Sequence, residues 1–374
     1  MIASMLDSVE ATRAVHAEWD RLAVEAGRPL AAPGWVLACW ECLRPPNASM
    51  RVIAVRREEQ LVGVMPLLAV GHRYRLIGSE LSAVEPLAKA GLEREVAKSM
   101  AGALASLEPR VAMVALECHD DSVDWAESVC SAWPARRGVW RQLVNRVEVP
   151  GIDLGVGDFD AWLGAKSSSF RRETRRKAKR LDEAGGSFRF ATEASLEADV
   201  AEFLCLHRTR LSGLGGSSLE AEGVDRMLCE AGRELLPLGR LRLLLLEVDG
   251  KIIGAQVIVA AGFEASAWNS GFDEDYSRLS PSMQCILRAV RDAFERGQRM
   301  MSLGPGAQAY KDRLADHSVD LVTHTLVPRG RGYVSARSKI AAASAGRAAR
   351  RRIGQIVPQS MRRARGTTQL KANV

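Results

Sequence analysis

Four polar residues in the second half of this 374-residue chain have side chains that could act on a reacting group. Two of them, Asn269 and Asp273, flank a glycine in the stretch WNSGFD, where a strand is predicted to end. An amide and a carboxylate at this place could orient an acceptor molecule, and Asp273 could take a proton from it. The same residue types also form ordinary turns, so both interpretations stay open.

The other two residues lie on predicted regular elements. His207 belongs to the predicted helix FLCLHRTR, where Arg210, a candidate for substrate binding, follows three residues later on the same face. His207 could act as a base or contact the acceptor, or it could be a histidine at the edge of the core. Gln256 is a polar residue in the apolar strand GAQVIVA, and it faces either an active cleft or solvent.

A strongly basic segment precedes these residues. From Lys166 to Arg180 the chain holds eight Lys or Arg residues and a single acid, Glu173. At helical spacing Arg172 and Arg176 lie on one face, and like charges four residues apart oppose helix formation unless an anion binds them. The segment is therefore predicted to bind phosphates of a nucleotide-sugar, a lipid pyrophosphate or tRNA. A solvated helix surface is the alternative.

The positive charge of the chain is concentrated at its end. The formal net charge is +7, but residues 329–374 contain twelve Lys or Arg and no acid, which leaves −5 for residues 1–328. Such a tail suits an anionic membrane surface, a cyclic dinucleotide or nucleic acid, although its one aromatic residue, Tyr333, offers little for base stacking. A disordered, solvating tail is the alternative.

Composition argues against several other classes. Cys39 and Cys42 form a C-x-x-C, but no second pair of cysteines or histidines completes a zinc set, and their apolar surroundings predict a helix that buries small thiols. No apolar stretch reaches the roughly 18 residues that a transmembrane helix needs. The acidic N-terminus does not resemble a signal peptide. We therefore expect a cytoplasmic protein without a metal.

The segments around the candidate residues alternate between helical and strand-like patterns. Residues 241–273 read as strand, Asp-Gly turn, strand, Gly turn and strand, which predicts an antiparallel meander. Residues 281–296 have helical spacing, with Pro281 near the start and Gly297 after the end. Pro150-Gly151 separates two halves of similar content. The expected fold class is α/β (α+β), with a duplicated architecture.

Several ordered blocks between residues 160 and 315 resemble a known family. The blocks are SSFRRETRRKAKRL, FLCLHRTR, LLLLEVDGKIIGAQVIV, WNSGFDEDYSRLSPS and GAQAYKDRL. This pattern resembles the GNAT-like acetyltransferases of cellulose and exopolysaccharide biosynthesis (CelD/BcsL type). The N-terminal half matches more loosely, through PGWVLACW, LVGVMPLL and RYRLIGS. The arrangement of two such domains is also similar to the FemABX aminoacyl transferases, which build peptidoglycan bridges.

The resemblance implies two tandem GNAT-like domains, each a mostly antiparallel mixed sheet flanked by helices. A degenerate domain would span residues 1–150, the acyltransferase domain 151–328 and a basic tail 329–374. The implied activity is acyl transfer from acetyl-CoA or another acyl-CoA to an amine or hydroxyl. The acceptor would be a sugar or lipid-linked sugar in exopolysaccharide or cell-envelope synthesis, at the inner face of the membrane.

The resemblance also assigns roles to residues. Where the family carries a Tyr-Lys pair, this chain has Tyr310 and Lys311. Lys311 would stabilise the oxyanion of a tetrahedral intermediate, and Tyr310 would protonate the leaving group. Gln256 would line the cofactor side of the cleft, while Asn269 would contact the acceptor.

Cofactor binding in GNAT proteins depends on a helix N-terminus that faces a pyrophosphate. Here that helix would start near Ser280, with Arg278, Ser280 and Ser282 as cofactor-binding residues. The general pattern Q/R-x-x-G-x-G/A is replaced by RLSPSM: Arg278 fits the first position, while Pro281 and Met283 replace small residues. Because proline has no N–H, one donor to a phosphate is lost.

Two other functions stay open. The first is a Fem-like transferase that uses aminoacyl-tRNA, favoured by the basic segment 166–180 and the tail. Its sign would be RNA binding that falls steeply with salt. The second is a non-catalytic GNAT fold that senses an anionic nucleotide or lipid, favoured by the departures at Pro281 and Met283. Its sign would be ligand binding without turnover.

Overall fold

The computed structural model describes residues 1–108, 110–134, 138–155, 157–211, 217–306, 308–330, 333–338 and 340. The N-terminal half contains β1 (Ile2–Leu6), α1 (Val9–Ala14), α2 (His16–Ala26), α3 (Pro33–Leu43), β2 (Ala48–Arg57), β3 (Gln60–Val70), β4 (Arg73–Leu76), β5 (Leu87–Ala88), α4 (Glu93–Ser106), β6 (Met113–Asp120), α5 (Trp125–Ala132) and β7 (Val139–Asp153). Most of the basic tail predicted at 329–374 lies outside the described residues.

The C-terminal half begins with two helices and ends with a long strand. Its elements are α6 (Phe159–Ala165), α7 (Ser168–Glu183), β8 (Ser187–Phe190), α8 (Leu196–Leu211), α9 (Val224–Leu235), β9 (Leu241–Val248), β10 (Lys251–Ala261), β11 (Glu264–Phe272), α10 (Pro281–Glu295), β12 (Met300–Ser302), α11 (Ala309–Leu314) and β13 (His317–Pro328). The predicted meander is β9-β10-β11, and the predicted helix at 281–296 is α10.

One mixed sheet contains all the strands of the described residues. Its order is β1-β2-β3-β4-β6-β13-β7-β12-β11-β10-β9-β8, with β5 paired to β3 beside this path. Neighbouring strands are antiparallel except at β4–β6 and β11–β12, one parallel pair in each half. This confirms the expected fold class, a mixed α/β fold with a large, mostly antiparallel sheet flanked by helices.

The two halves follow the same strand order and exchange one strand. In the N-terminal half β1-β2-β3-β4-β6 is followed by an inserted strand and then by β7. In the C-terminal half β8-β9-β10-β11-β12 is followed by an inserted strand and then by β13. In each case the inserted strand is the last strand of the other half, so β7 and β13 complete both halves.

The predicted boundary at residue 150 falls inside β7, which continues to Asp153. Its last residues pair with both neighbours, since Gly151 lies opposite Ser302 of β12 and His317 of β13. A Cβ atom at Gly151 would lie 2.5 Å from the His317 ring, so any side chain here would displace that ring. The Pro150-Gly151 step therefore fits a crowded position within a strand, although it reads as a break in the sequence.

The helices cover the sheet in two packed groups. One core joins α2, α3, α4 and α5 of the N-terminal half to α8 and α9 of the C-terminal half. It includes an edge-on contact between Trp35 and Trp268, whose ring centroids are 5.0 Å apart. The second core lies beneath α6, α7 and α10. The halves therefore share a hydrophobic core as well as two strands.

Candidate active site

The candidate site lies where β11 and β12 separate. These parallel strands pair only from Glu264 to Ser266 and from Met300 to Ser302. β12 then ends in a Gly-Pro-Gly loop, whereas β11 continues to Phe272. Trp268 forms a bulge in β11, because the register with β10 shifts between Val257 and Ile258. Beyond Ser266, the outer edge of β11 pairs with no strand of the described chain.

Helix α8 brings His207 to this free edge. The His207 Nδ1–H donates to the Ser270 carbonyl of β11 at 2.8 Å, and Nε2 lies 2.9 Å from the Ser217 hydroxyl. Burial lowers the pKa of His207, so the neutral ring accepts a hydrogen bond from Ser217. Both ring nitrogens are engaged. His207 therefore holds α8 against β11. Its role as a base stays a prediction.

Arg210, one turn further along α8, faces the same region. Its guanidinium lies over the Phe272 ring at 5.3 Å from the centroid, and its Nε is buried without an acceptor among the described residues. Its charge also lowers the pKa values of Tyr310 and Lys311, although less than burial shifts them. A buried donor without an acceptor is costly, so this position favours an anionic or carbonyl ligand.

Lys311 is the most unusual residue of the site. It is 5% exposed, and its Nζ donates to the carbonyls of Gly304 and Pro305, both at 2.9 Å. No carboxylate of the described residues pairs with it. Burial, with Arg210 nearby, lowers the pKa of Lys311 to about 8. Because an ammonium group has three donors, one remains for a ligand oxygen.

The neighbouring Tyr310 connects Lys311 to the start of α10. The Ser282 side chain lies near the Tyr310 hydroxyl and lowers its pKa. Burial raises the pKa of Tyr310, so the phenol stays protonated at neutral pH and can donate a proton. The two family-matched residues are thus held between the Gly-Pro-Gly loop and the first turn of α10.

The N-terminus of α10 provides backbone donors. Ser280 is the N-cap in the left-handed region (φ 56°, ψ 55°), and Pro281 occupies the first helical position. The N–H that Pro281 lacks is one that a helix start leaves unpaired in any case, while Ser282 and Met283 retain theirs. The first turn contains no acidic residue. This helix start can therefore hold an anion despite the altered RLSPSM pattern.

The remaining predicted residues lie at the margin of this arrangement. Gln256 is buried, and its side-chain N–H donates to Val257 O and to Asn269 O, which steadies the bulge. Asp273 forms an ion pair of 2.7 Å with Lys251, which lowers the pKa of Asp273, and it accepts a bond from Asp275 N. In the structure, Asp273 therefore stabilises the turn that follows β11.

The three predicted arginines outside α8 are exposed. Arg278 lies beside Arg180 at a shallow surface depression. Arg172 and Arg176 lie on the solvent side of α7, whose Glu173 pairs instead with Lys177 and Arg313. The structure therefore groups His207, Arg210, Tyr310, Lys311, Ser280 and Ser282, and it places these three arginines outside that group.

A cavity of about 400 Å³ opens beside the site and is lined by both halves of the chain. Asn269, Gly304 and Pro305 form its wall toward Lys311. Gly304 has a φ of 70°, and a Cβ atom there would approach Ala267 O to 3.3 Å. The glycine thus lets the loop lie against β11. We call this space the central cavity.

Sequence reasoning missed a cluster of charges in the central cavity. Arg28 pairs with Glu85 (2.6 Å), Asp120 (3.1 Å) and Glu264 (3.4 Å). Burial raises the pKa values of Glu85 and Glu264 to about 7. These residues come from four distant parts of the chain, and only the folded sheet brings them together. No local pattern marks them.

Neither a metal centre nor a membrane span is visible in the described ranges. No three side chains of His, Cys, Asp or Glu are grouped to hold a metal ion there. Cys39 is buried in α3 and Cys42 half-buried, both as free thiols. Likewise, none of the described helices combines the length and apolarity needed to cross a bilayer.

Comparison with known proteins agrees with this architecture. Residues 168–312 match the family described as Acetyltransferase (GNAT) domain. FemX is 11% identical, with a TM-score of 0.60 over 86% of this chain and 97% of FemX. A conserved Bacteroides thetaiotaomicron protein of unknown function is 12% identical, with a TM-score of 0.53 over 87% of this chain and 100% of that one.

A further similar structure is the C-terminal DUF2156 domain of an Agrobacterium fabrum protein. It is 12% identical, with a TM-score of 0.51 over 75% of this chain and 85% of that chain. No curated protein matches the sequence. The narrower resemblance to the CelD/BcsL type stays a prediction. Residues 168–312 thus carry the pattern of a GNAT acetyltransferase domain, within a chain that shares the fold of FemX.

Proposed function

We propose that this protein transfers an acyl group from an acyl-CoA to an amine or hydroxyl. Acetyl-CoA is the expected donor, and a sugar precursor of exopolysaccharide or envelope synthesis is the expected acceptor. The observation that carries the proposal is Lys311, a buried ammonium group with a lowered pKa and one uncommitted donor. Its neighbour Tyr310 lies near Ser282, in the first turn of a helix whose start can hold phosphates.

The residues of the site divide the work between them. The N–H groups of Ser282 and Met283, with the Arg210 guanidinium, would hold the donor's phosphates. The acyl-CoA supplies a thioester whose C–S bond breaks as the acceptor's bond to the carbonyl carbon forms. Lys311 would donate its remaining N–H to the oxygen that becomes negative. Tyr310 would give a proton to the departing thiolate, and the proton that the acceptor loses as its new bond forms would restore the Tyr310 hydroxyl.

The first test is calorimetric titration of the full-length protein with acetyl-CoA, followed by assay of thiol release with amino sugars. Lys311→Met should lower kcat by about 10²–10³-fold, the usual loss when a donor to an oxyanion is removed. Binding of acetyl-CoA should change little, because Lys311 does not contact the phosphates in this proposal. Full turnover in Lys311→Met would contradict the assigned role.

The pH profile separates this role from simple support of the loop. Lys311 must be protonated to donate, so activity should fall as the pH rises above about 8. Lys311→Arg keeps the charge and the donors and should move that decline to higher pH. A purely structural lysine would leave the position of the alkaline limb unchanged in Lys311→Arg.

A second candidate is aminoacyl transfer from tRNA, which the exposed Arg172 and Arg176 of α7 favour. RNA binding through phosphate contacts weakens steeply with salt. The two candidates are separated by titrating tRNA at low and moderate salt beside the acetyl-CoA titration. Salt-sensitive tRNA binding, without acetyl-CoA binding, would favour this second function.

A further inference from the structure

The central cavity has one strongly acidic end. Glu85, Asp120 and Glu264 all surround the single guanidinium of Arg28. Arg28 is also the only Lys or Arg among the described residues that line the cavity. Three carboxylates around one cation leave an excess of negative charge when all are ionised. Such an excess is costly to bury, and holding the two halves together does not require it.

One oxygen of this cluster has no partner. Glu85 is only 6% exposed, and its Oε1 lies 2.6 Å from Arg28 Nε. Its Oε2 is buried and accepts no hydrogen bond from the described residues, although Glu85 lines the cavity. A buried carboxylate oxygen left without a donor is unfavourable, and a cationic ligand would supply that donor once the Glu85 carboxylate turns toward the cavity.

The pKa values of the cluster agree with this geometry. Burial raises the pKa of Glu85 to about 7 against the effect of the Arg28 charge. The charge of Asp120 raises this pKa further, while the Asp120 backbone lowers it. Burial likewise raises the pKa of Glu264, with Arg28 opposing and Glu85 and Asp120 adding to the shift. The charged forms are thus disfavoured while the cavity lacks a second cation, and a bound cation would favour them.

The acidic end is distant from the candidate active site. Glu264 begins β11 and Asn269 lies five residues later, so the two ends of the cavity are roughly 15 Å apart at the rise of a strand. The wall between them is largely apolar and includes Leu30, Val147, Val149, Trp268, Met301 and Val319. A fitting ligand is therefore elongated, with an apolar middle and a charged end.

We propose that the central cavity binds the acceptor through a primary ammonium group held by Glu85, Asp120 and Glu264, while the acceptor's nucleophile lies at the opposite end, beside Asn269 and the Gly304–Pro305 loop. This inference rests on the proposed acyl transfer for the role of the ligand as acceptor, and it specifies an elongated amine in place of the sugar precursor expected above. The ammonium group is a recognition element and is distinct from the group that receives the acyl chain.

The test compares two linear probes with the full-length protein at pH 8, without any acyl donor. One is 8-aminooctan-1-ol, which carries an ammonium group, and the other is octane-1,8-diol, its neutral counterpart. Calorimetry should show that the amino alcohol binds at least about tenfold more tightly, as expected for one charge-assisted hydrogen bond in a buried site. Equal binding of the two probes would overturn the inference.

Variants locate the preference in the cavity. Glu85→Gln and Glu264→Gln should each remove most of the advantage of the amino alcohol. Glu193→Gln, which changes an exposed acid on the surface, should leave it intact. The inference would also be overturned if the Glu85→Gln/Glu264→Gln double variant still bound the amino alcohol more tightly than the diol.

A separate measurement distinguishes failure of this inference from failure of the proposed function. Glu85→Gln should bind acetyl-CoA as the unaltered protein does, because Glu85 lies at the far end of the cavity. Preference for the ammonium probe without acetyl-CoA binding would refute acyl transfer from acetyl-CoA and leave the cation site standing. Acetyl-CoA binding without a preference for the ammonium probe would refute the cation site and leave the proposed acyl transfer standing.

Discussion

The two halves of the sheet share a strand order but differ at the helix that follows the fourth strand. In the C-terminal half this helix is α10, whose first turn has no acid and whose N-cap, Ser280, has a left-handed backbone. In the N-terminal half it is α4, which carries Glu93 and Glu95 in its first turn. The Glu93 carboxylate already accepts a hydrogen bond from Gly91 N.

This difference shows how one architecture can serve two purposes. Acids at the start of α4 fill the place that an anion would take, so this helix start is electrostatically closed. The loop from β4 to α4 instead extends over the central cavity and brings Glu85 there. Trp35 and Trp268 both donate to Ser82 of this loop at 3.1 Å and fix its position. Under the proposed function, the N-terminal half would provide a wall for the acceptor and the C-terminal half would provide the anion site.

Separating the two halves of the chain should have the largest effect on the structure. Residues 1–156 expressed alone lack β13, which lies between β6 and β7, and both strands would be left with unpaired edges. We expect no cooperative unfolding transition by circular dichroism. Mixing with a fragment of residues 157–374 should restore the transition. Cooperative unfolding of the first fragment alone would show that the exchanged strand is dispensable.

A second experiment turns the start of α10 into that of α4. Met283 stands third in α10, as Glu95 does in α4. Met283→Glu should weaken acetyl-CoA binding by about ten- to hundredfold, because a carboxylate now competes for the donors at the helix start. The fold should be kept, since an acid at this position favours the helix. Met283→Gln is the control and should bind nearly as before.

The smallest expected effect concerns stability at the cavity. Glu85 has a folded pKa of about 7 against an ordinary value of 4.5, so between these values the folded state holds the proton more firmly than the unfolded state. The stability that the bound proton of Glu85 contributes is therefore lost as the pH rises from 4.5 through 7. Relative to the unaltered protein, Glu85→Gln should gain about 2 kcal/mol of unfolding free energy between pH 5 and pH 8.

Denaturant unfolding at both pH values measures this gain, and Glu193→Gln serves as the exposed control. Parallel pH dependence in Glu85→Gln and the unaltered protein would mean that the Glu85 proton is not linked to folding. A gain in stability together with a loss of the ammonium preference would indicate that Glu85 is kept for binding at the expense of stability.

Local patterns predicted much of the C-terminal half. The Asp-Gly turn and apolar runs defined the meander, and Pro281 with Gly297 marked the ends of α10. The positions of Tyr310 and Lys311 came from the resemblance. The structure places Tyr310 near Ser282 of that helix start and Lys311 against the Gly304 carbonyl. These features depend on neighbours in the chain, which a single sequence displays directly.

Features that depend on distant pairing were not predictable. Nothing near Asp273 indicates that Lys251 pairs with it, because the contact depends on how β10 and β11 align. Likewise, Arg28 and Glu264 meet only after the halves pack together. The passage of β7 through Pro150 depends on β12 and β13, which lie about 150 residues later in the chain.

The exchanged strands also set an order of events during synthesis. β6 and β7 are complete by residue 153, but β13, the strand between them, ends at Pro328. The sheet of the N-terminal half therefore stays open on the ribosome until residue 328 has emerged. During that interval two strands expose unpaired backbone groups, the condition in which nascent chains aggregate or recruit chaperones. The rate of translation through residues 154–328 thus governs how long the first half waits for its last strand.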